Sequence, residues 1–579
     1  MTKTSPRDIV VPARGILVGF PTILALVGLG ALLLLFSLRA FHERNLAVDD
    51  AYILARYASQ FADGHGFRWN ATSPPSEGFT SILFVVLQAG LLRMGFEPPA
   101  ASALLSIGAV AGVVALLVSV ADPRRPGFAI AALPAAFLLL DTGIGVHASR
   151  GLETSMFFVV AVGMVALTGM VVERPHPKTG YAMALVSFLL VLTRPDGALI
   201  VAICWMAAAL GLRRRTDRNA LLLPGAALLT VIGVAFAAWK FWYFGDTLPT
   251  AYYVKAAGVG WAGGQDVNAF VADYRAWLVG AGVACFTTSA IRFGGGPGPG
   301  LWRRPYVEAV LAVAIGVPWL IYAARIVHET GFVHRFSFVL VPLSALAITR
   351  GLRAALDVAA GRLSGPGAVT VVGLLATVTF ALAMAGPFSR SVEALTNDPP
   401  SDAHVVVFSR LGRAIASAGL GEQISFLNGA AGAAPYFAGA RHVDAFGLAT
   451  TDFSKPMSAE RRQQLIAEGA FDIIEMPFLP ASAGANSVAN EPLRHSDYWR
   501  DVEAVGLTFL RFKKMRTMEE WFQMAHWVMR YLRDHMTLAG AARLPGARMI
   551  VYVSRASPHY ERLIETLSRE LDIRPSQVR

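Results

Sequence analysis

The sequence predicts a polytopic α-helical membrane protein that ends in an extracytoplasmic α/β domain. Three observations carry that reading. The 579 residues are 54% hydrophobic and only 16% charged, against roughly 25% charged and about 45–50% apolar in soluble chains. The apolar residues gather in long stretches, and about 20 such residues are needed to cross a hydrocarbon core of roughly 30 Å. After about residue 388 the composition changes, and short β-rich runs alternate with helical patterns.

The first stretch, 16–40, is too long for a removed signal peptide and has no small-residue cleavage site. Further stretches follow at 99–121, 127–146, 154–172, 179–193, 197–211, 221–240, 276–291, 305–324, 336–349 and 366–387, so that about 11 transmembrane helices are expected. Phe79–Met94 is shorter, and its path decides the parity of everything after it. Let the N-terminus with Lys3, Arg7 and Arg14 be cytoplasmic, and let Phe79–Met94 lie at the outer interface. Every strongly basic loop then falls inside: Arg124/Arg125, Arg174/Lys178, Arg213/Arg214/Arg215/Arg218, Arg292/Arg303/Arg304 and Arg350/Arg353/Arg362. A crossing there would flip all of them outside together. The net charge of +11 is thereby explained by topology, and it argues for no nucleic-acid partner. Cys204 and Cys285, both in apolar stretches, make neither a disulfide framework nor a metal-ligand spacing.

With this parity the outer face collects 41–98, His147–Glu153, Thr193–Gly197, Phe241–Arg275, Arg325–Arg335 and everything after about Gly386. The chain divides into a membrane domain, 1–387, whose first outer loop (41–98) carries interfacial helices, and an outer α/β domain, 388–579. In the latter, strands are expected at Gln423–Leu427, Phe471–Met476, Gly506–Phe512 and Arg548–Ser554. A helix is expected at Thr517–Met536, with Trp521, Met524, Trp527, Val528 and Leu532 on one face as core or membrane-docking surface.

The strongest chemical signal is Val48-Asp49-Asp50-Ala51-Tyr52-Ile53. Two adjacent carboxylates at the exit of a membrane helix repel each other near low-dielectric lipid, and both effects favour a general base or a metal ligand. An Asp pair can also simply mark a helix end at water. The loop continues through Arg56-Tyr57, Asp63-Gly64-His65-Gly66-Phe67-Arg68-Trp69-Asn70 and Glu77-Gly78-Phe79-Thr80-Ser81. This run, Asp49 to Ser81, resembles the first outer loop of polyprenyl-phosphate-sugar-dependent glycosyltransferases of the GT-C superfamily. Among them are the terminal arabinofuranosyltransferases of mycobacteria and their proteobacterial homologues. The resemblance continues in Ser149-Arg150-Gly151-Leu152-Glu153-Thr154, in Thr193-Arg194-Pro195-Asp196-Gly197, and in Tyr243-Phe244-Gly245-Asp246-Thr247-Leu248-Pro249-Thr250 with Tyr252, Tyr253 and Lys255. Thr250 stands where the family more often has Asn. Gly432-Ala433-Ala434-Pro435-Tyr436-Phe437 and Asp444-Ala445-Phe446-Gly447-Leu448 extend it into the C-terminal domain. Each motif is weak alone; five in order, over about 41–450, are specific.

The resemblance implies a GT-C-like fold and transfer of a sugar from a polyprenyl-phosphate donor to an acceptor hydroxyl, with inversion. A carboxylate must take the acceptor proton, with Asp49 expected as base and Asp50 in support. The leaving phosphate needs cations, for which Arg150, Arg194, Lys255 and Arg335 are available, with His334 and its neighbours His328 and Glu329 as additional phosphate or ion ligands or as plain loop polars. Sugar and acceptor hydroxyls need fixed polar and aromatic partners: Tyr52, Arg56, Glu77, Glu153, Asp196, Trp242, Tyr252, Tyr253 and Asp444. Arabinofuranose is the donor sugar the resemblance implies. The acceptor is a cell-envelope glycan, lipid or protein. A divalent cation (Mg2+, Mn2+ or Ca2+) on Asp49 and Asp50 stays open, because the superfamily uses such pairs with and without an ion. Gly429–Gly432 lacks phosphate-loop spacing and reads as a tight turn, and Gly294–Gly300 as a cytoplasmic connection.

Two other classes compete. A transporter or flippase of a lipid-linked or free sugar would place ionisable residues near the bilayer midplane, but Asp141, Lys240 and Glu308 all fall toward span ends. A membrane-anchored glycan-binding protein would explain the C-terminal domain but not the Asp pair or the loop motifs.

Overall fold

The computed structural model describes residues 19–255, 263–294, 304–326, 334–362, 403–445, 447–455, 457–478, 527–528, 530–544 and 547–571. All of the expected spans fall on helices except 366–387, which lies outside the described residues. Helix α1 (Phe20–His42) stays uncharged until Arg39, which pairs with Glu43 at 2.6 Å. The chain then builds two shorter helices, α2 (Asp49–Ala62) and α3 (Ile82–Arg93). Ser81 caps α3 by accepting the Phe84 amide at 3.3 Å. At 12 residues α3 spans about 18 Å, short of a hydrocarbon core. It packs against α2 and against the next long helix, α4 (Pro98–Ala121).

The following apolar stretch is broken into α5 (Phe128–Ala131), α6 (Leu133–Leu140) and α7 (Thr142–Ser149). Asp141 causes the 53° bend before α7. Its side chain takes the Gly143 amide at 2.9 Å and so starts a new helix inside the run. The remaining bundle is α8 (Thr154–Glu173), α9 (Pro177–Thr193), α10 (Ala198–Gly211), α11 (Arg218–Phe244), α12 (Thr250–Lys255), α13 (Gly264–Asp273), α14 (Arg275–Gly294), α15 (Arg304–Arg325) and α16 (Leu340–Arg362). Among the described residues, five helices (α1, which runs on as a 3-10 turn to Leu46, α4, α8, α11 and α15) are long and apolar enough to cross a membrane alone. Two bent pairs, α5–α6 with α7 and α13 with α14, qualify when each pair is taken together. Helix α8 is central and mostly buried, whereas α1 and α11 turn most of their apolar surface outward. That inversion is what a bilayer allows, since lipid is as apolar as the core.

Successive long helices alternate in direction, which sorts their ends. One end gathers the C-termini of α9, α11 and α15 with the N-termini of α8 and α16. The other carries the basic connections: Arg353 donates to the Pro126 carbonyl at 2.8 Å, and Arg125 meets Asp357 at 2.9 Å. There too Glu308, fully buried, is held by Arg304 at 2.6 Å and by Arg350 through two bonds at 2.5 and 2.9 Å.

The C-terminal domain contains α17 (Ala403–Ala416), β1 (Ser425–Asn428), α18 (Ala433–Ala438), β2 (Arg441–Asp444), α19 (Thr451–Ser454), α20 (Ala459–Gly469), β3 (Ile473–Phe478), β4 (Met536–Leu544), β5 (Ala547–Ser554) and α21 (Tyr560–Glu570). The strands form one sheet in the order β2-β1-β3-β5-β4. β2, β1 and β3 run parallel, and β5 and β4 add antiparallel. The strands expected at Gln423–Leu427, Phe471–Met476 and Arg548–Ser554 are β1, β3 and β5, within two residues. Gly506–Phe512 lies outside the described residues, as does most of Thr517–Met536, including Trp521 and Met524. The described end of that helix is helical through 535, with Val528 and Leu532 in the core and Trp527 stacked on Tyr531 at 5.1 Å. Met536, expected to close the helix, opens β4 instead, because it pairs with Ser554 of β5.

Candidate active site

The site is built where the loop after α1 meets the C-terminal domain. Asp49 and Asp50 open α2, whose positive end favours carboxylates. Eight consecutive residues of α2, Ala51–Ala58, are buried, so the helix is enclosed on all sides. One side, with the loop that follows α2, docks on the C-terminal domain. Asp49 Oδ1 accepts the Ala433 amide at 2.8 Å at the start of α18. Tyr52 packs between the rings of Tyr436 and Phe437, at 5.5 and 5.3 Å. Arg56 donates to the carbonyls of Trp69 (2.8 Å), Ala440 (2.9 Å) and Pro435 and to Asn70 Oδ1 (2.9 Å). Trp69 Nε1 donates to His442 Nδ1 at 2.9 Å. Burial lowers Arg56 to about 10, so it stays charged at neutral pH, and burial keeps His442 neutral by lowering it well below the usual imidazole range.

Two glycines permit this approach. A Cβ on Gly432 would run into the Asp49 side chain, and one on Gly78 would stand 2.8 Å from the backbone of Leu448 and Ala449. At the same crossing Thr250 donates its amide to the Glu77 carbonyl at 2.9 Å and shares its hydroxyl between the carbonyls of Glu77 and Leu448. Asp444 shapes the turn that delivers Leu448, accepting the Ala449 amide at 2.9 Å. Three distant segments are thus tied into one rim.

Behind that rim lies a cavity of about 530 Å³. Its apolar wall comes from Ile53, Leu54, Phe79, Leu152, Leu248, Pro249, Phe336 and Leu448. Its polar wall comes from Asp50, Glu153, Arg194, Asp196, Tyr252, Tyr322, Arg325 and Arg335. Charges alternate along it. Arg335 lies 2.8 Å from Glu153 and 4.0 Å from Asp50; Arg194 lies 3.7 Å from Glu153 and grips Asp196 through two bonds, at 3.0 and 2.5 Å. The Tyr322 hydroxyl donates to Asp196 at 3.0 Å. Burial pushes the Glu153 carboxyl up, but Arg335 and Arg194 outweigh it and hold Glu153 below the usual carboxylate range. Glu153 therefore remains an anion that fixes two guanidiniums, both of which line the cavity.

Of the residues expected from sequence, Asp50, Glu153, Arg194, Asp196, Tyr252 and Arg335 line the cavity together. The others lie elsewhere. Asp49, Tyr52 and Arg56 hold the domain contact, and Asp444 shapes the turn behind it. Arg150 donates to the Leu46 carbonyl at 3.1 Å and braces the turn before α2. Glu77 is buried in an ion pair with Lys240 at 2.8 Å; burial raises it to about 7 against the pull of that lysine. Tyr253 donates to Asp246 at 2.9 Å, and Lys455 of the C-terminal domain approaches the same carboxylate at 3.1 Å. Trp242 is 79% exposed on the outward face of α11, as suits an aromatic anchor at a membrane interface. His334 contacts Asp266 and Asp273. The Lys255 side chain, His328 and Glu329 are outside the described residues. Asp49 and Asp50 engage different partners, and no group of three His, Cys, Asp or Glu residues able to hold a metal occurs among the described residues. Tyr322, Arg325 and Phe336 belong to the cavity but were not singled out from sequence. They sit at the ends of apolar helices with no motif around them.

No family model matches the chain, and no curated protein sequence matches it. Among solved structures, ArnT from Cupriavidus metallidurans bound to undecaprenyl phosphate matches with a TM-score of 0.50. The alignment covers 92% of this chain and 98% of that one, at 13% identity. The fold is similar to that of ArnT. ArnT in the apo state aligns at 14% identity over 91% and 98% of the two chains, with a TM-score of 0.48. At such identity the likeness to ArnT concerns the fold alone.

Proposed function

We propose that the protein is an integral-membrane glycosyltransferase of the GT-C type. It takes a sugar from a polyprenyl-phosphate donor and passes it, with inversion, to a hydroxyl of a cell-envelope glycan, lipid or protein. The observation that carries this reading is the cavity itself, where Asp50, Glu153, Arg194, Asp196 and Arg335 converge from separate segments behind an apolar wall. A lipid-linked phosphate needs both kinds of wall. Further support comes from the fold shared with ArnT, whose structure was solved with undecaprenyl phosphate bound. In this reading the site faces the extracytoplasmic side of a bacterial plasma membrane, and the basic connections face the cytoplasm. Arabinofuranose is the donor sugar the sequence motifs favour.

Asp50 is the base we assign, in place of the expected Asp49, whose carboxylate is occupied at the domain contact. Asp50 takes the proton as the acceptor oxygen bonds to the anomeric carbon. The bond from that carbon to the phosphate oxygen breaks, and Arg335 and Arg194 offset the charge left on the phosphate. Membranes carrying Asp50→Asn or Asp49→Asn are compared with wild type using a radiolabelled polyprenyl-phosphate sugar. Loss of a general base lowers transfer by about 100- to 10,000-fold, so that loss is expected for Asp50→Asn, while Asp49→Asn keeps turnover. Wild-type transfer by Asp50→Asn would refute the assignment. Uptake of free sugar into sealed vesicles without covalent transfer would favour a transporter instead. Adding EDTA, then restoring Mg2+, Mn2+ or Ca2+, decides whether an ion takes part.

A further inference from the structure

His334 precedes Arg335 in the chain but does not line the cavity. Its ring lies between two carboxylates of α13, with Nδ1 3.0 Å from Asp266 and Nε2 3.3 Å from Asp273. These aspartates are seven residues apart, two helical turns, and so share one face of α13. Burial works against a charge on this ring, but the two carboxylates outweigh it and raise His334 above the usual imidazole range, which favours a ring that donates from both nitrogens. Phe270 and Tyr274 close over the ring at 5.6 and 6.0 Å. The backbone of His334 is left-handed, at φ +50°, a conformation that a side chain other than glycine adopts only when its surroundings impose it. Its carbonyl accepts the Ser337 and Phe338 amides, both at 2.9 Å, and thereby starts the turn into α16. The twist at His334 therefore decides the direction in which the next side chain leaves, and that side chain is Arg335, which meets Glu153 and Asp50.

We propose that His334, clamped between Asp266 and Asp273, is a positioning residue that aims Arg335 at Glu153 and Asp50 and so gives the donor phosphate its cation. The functional half of this proposal rests on the glycosyltransferase reading; the aiming of Arg335 does not. The full-length protein is tested in a double-mutant cycle of His334→Asn with Arg335→Ala. Asn tolerates the left-handed backbone but cannot bridge two carboxylates. The cycle has two readouts: transfer kinetics, and hydrogen exchange of the amides at 153–157, which follow the Glu153–Arg335 contact.

His334→Asn is expected to lower kcat by roughly 100-fold, the scale of an ångström-sized misplacement, with KM little changed. Exchange at 153–157 should quicken. Neither effect should add to that of Arg335→Ala. If His334→Asn fails to fold, the Asp266→Asn/Asp273→Asn pair carries the same expectation with His334 in place. Wild-type kinetics and exchange, or losses that add to those of Arg335→Ala, would overturn the proposal. A wild-type protein that transfers no sugar yet shows the non-additive exchange would refute the glycosyltransferase reading and leave the positioning intact.

Discussion

At Asp49 the carboxylate accepts a backbone amide of the C-terminal domain, while that of Asp50 stands 4.0 Å from Arg335 in the cavity wall. Consecutive residues on a helix point about 100° apart, so a helix wedged between a domain and a cavity sends neighbouring carboxylates to different work. Asp49→Ala should therefore cost about 1 kcal/mol of stability, the scale of a lost cap, read as a lower melting temperature in detergent. Glu475, on β3, is a second informative acid. Burial pushes it up to about 8, opposed chiefly by Asn428. In the unfolded chain it would ionise near pH 4.5. The folded state therefore holds a proton that the unfolded state releases, and stability falls as pH rises from about 4.5 to about 8. Glu475→Gln removes that dependence. Its unfolding free energy should match wild type below about pH 4.5 and exceed it increasingly toward pH 8, by an amount on the order of a few kcal/mol, read as a higher melting temperature.

Among the elements, α2 and the loop to α3 act as the wedge between the helical bundle and the C-terminal sheet. Arg56 is central to it, satisfying three carbonyls and Asn70 from one buried guanidinium. Arg56→Ala leaves those acceptors buried without their donor, and bonds to charged groups are worth about 1.5–3 kcal/mol each. A loss of roughly 3 kcal/mol or more is expected. Arg56→Lys should rescue little, because an ammonium cannot reproduce the planar fork. Gly78→Ala tests the same contact from the other side, since its Cβ would press on the backbone of Leu448 and Ala449, which cannot move aside as a side chain could. Both variants should release the C-terminal domain to limited proteolysis at lower temperature than wild type. Transfer should fall with them, because Leu448 and Gly78 also line the cavity.

Across the whole molecule, charge is sorted by end. The cavity and its acidic residues occupy the end where α8 and α16 begin, and the arginine-rich connections occupy the opposite end. If the bundle lies in a bilayer with the basic end in the cytoplasm, single cysteines should label from opposite sides. Glu468→Cys on α20 and Arg215→Cys between α10 and α11 are suitable, with side chains 60% and 50% exposed. Cys204 is buried and Cys285 half-buried, so background is low. An impermeant maleimide should reach position 468 from the extracytoplasmic side and position 215 only from the cytoplasm. Labelling of both from one side would refute the arrangement.

The sequence by itself determined the membrane class, the helical stretches within it, and β1, β3 and β5, because lipid and a sheet core each demand apolar runs of a particular length. It did not reveal β4. Met536–Leu544 is rich in Ala and Gly and is a strand only through its pairing with β5. The motif residues were also legible as a group, since acids, arginines and glycines beside apolar spans are unusual. Their division of labour was not. An arginine that holds a domain in place and one that lines a cavity are the same residue type at the same kind of helix end. Only packing between distant segments sent Asp49 and Arg56 to the domain contact and Asp50, Arg194 and Arg335 to the cavity, where Tyr322 and Arg325 joined them from apolar helix ends that carry no motif.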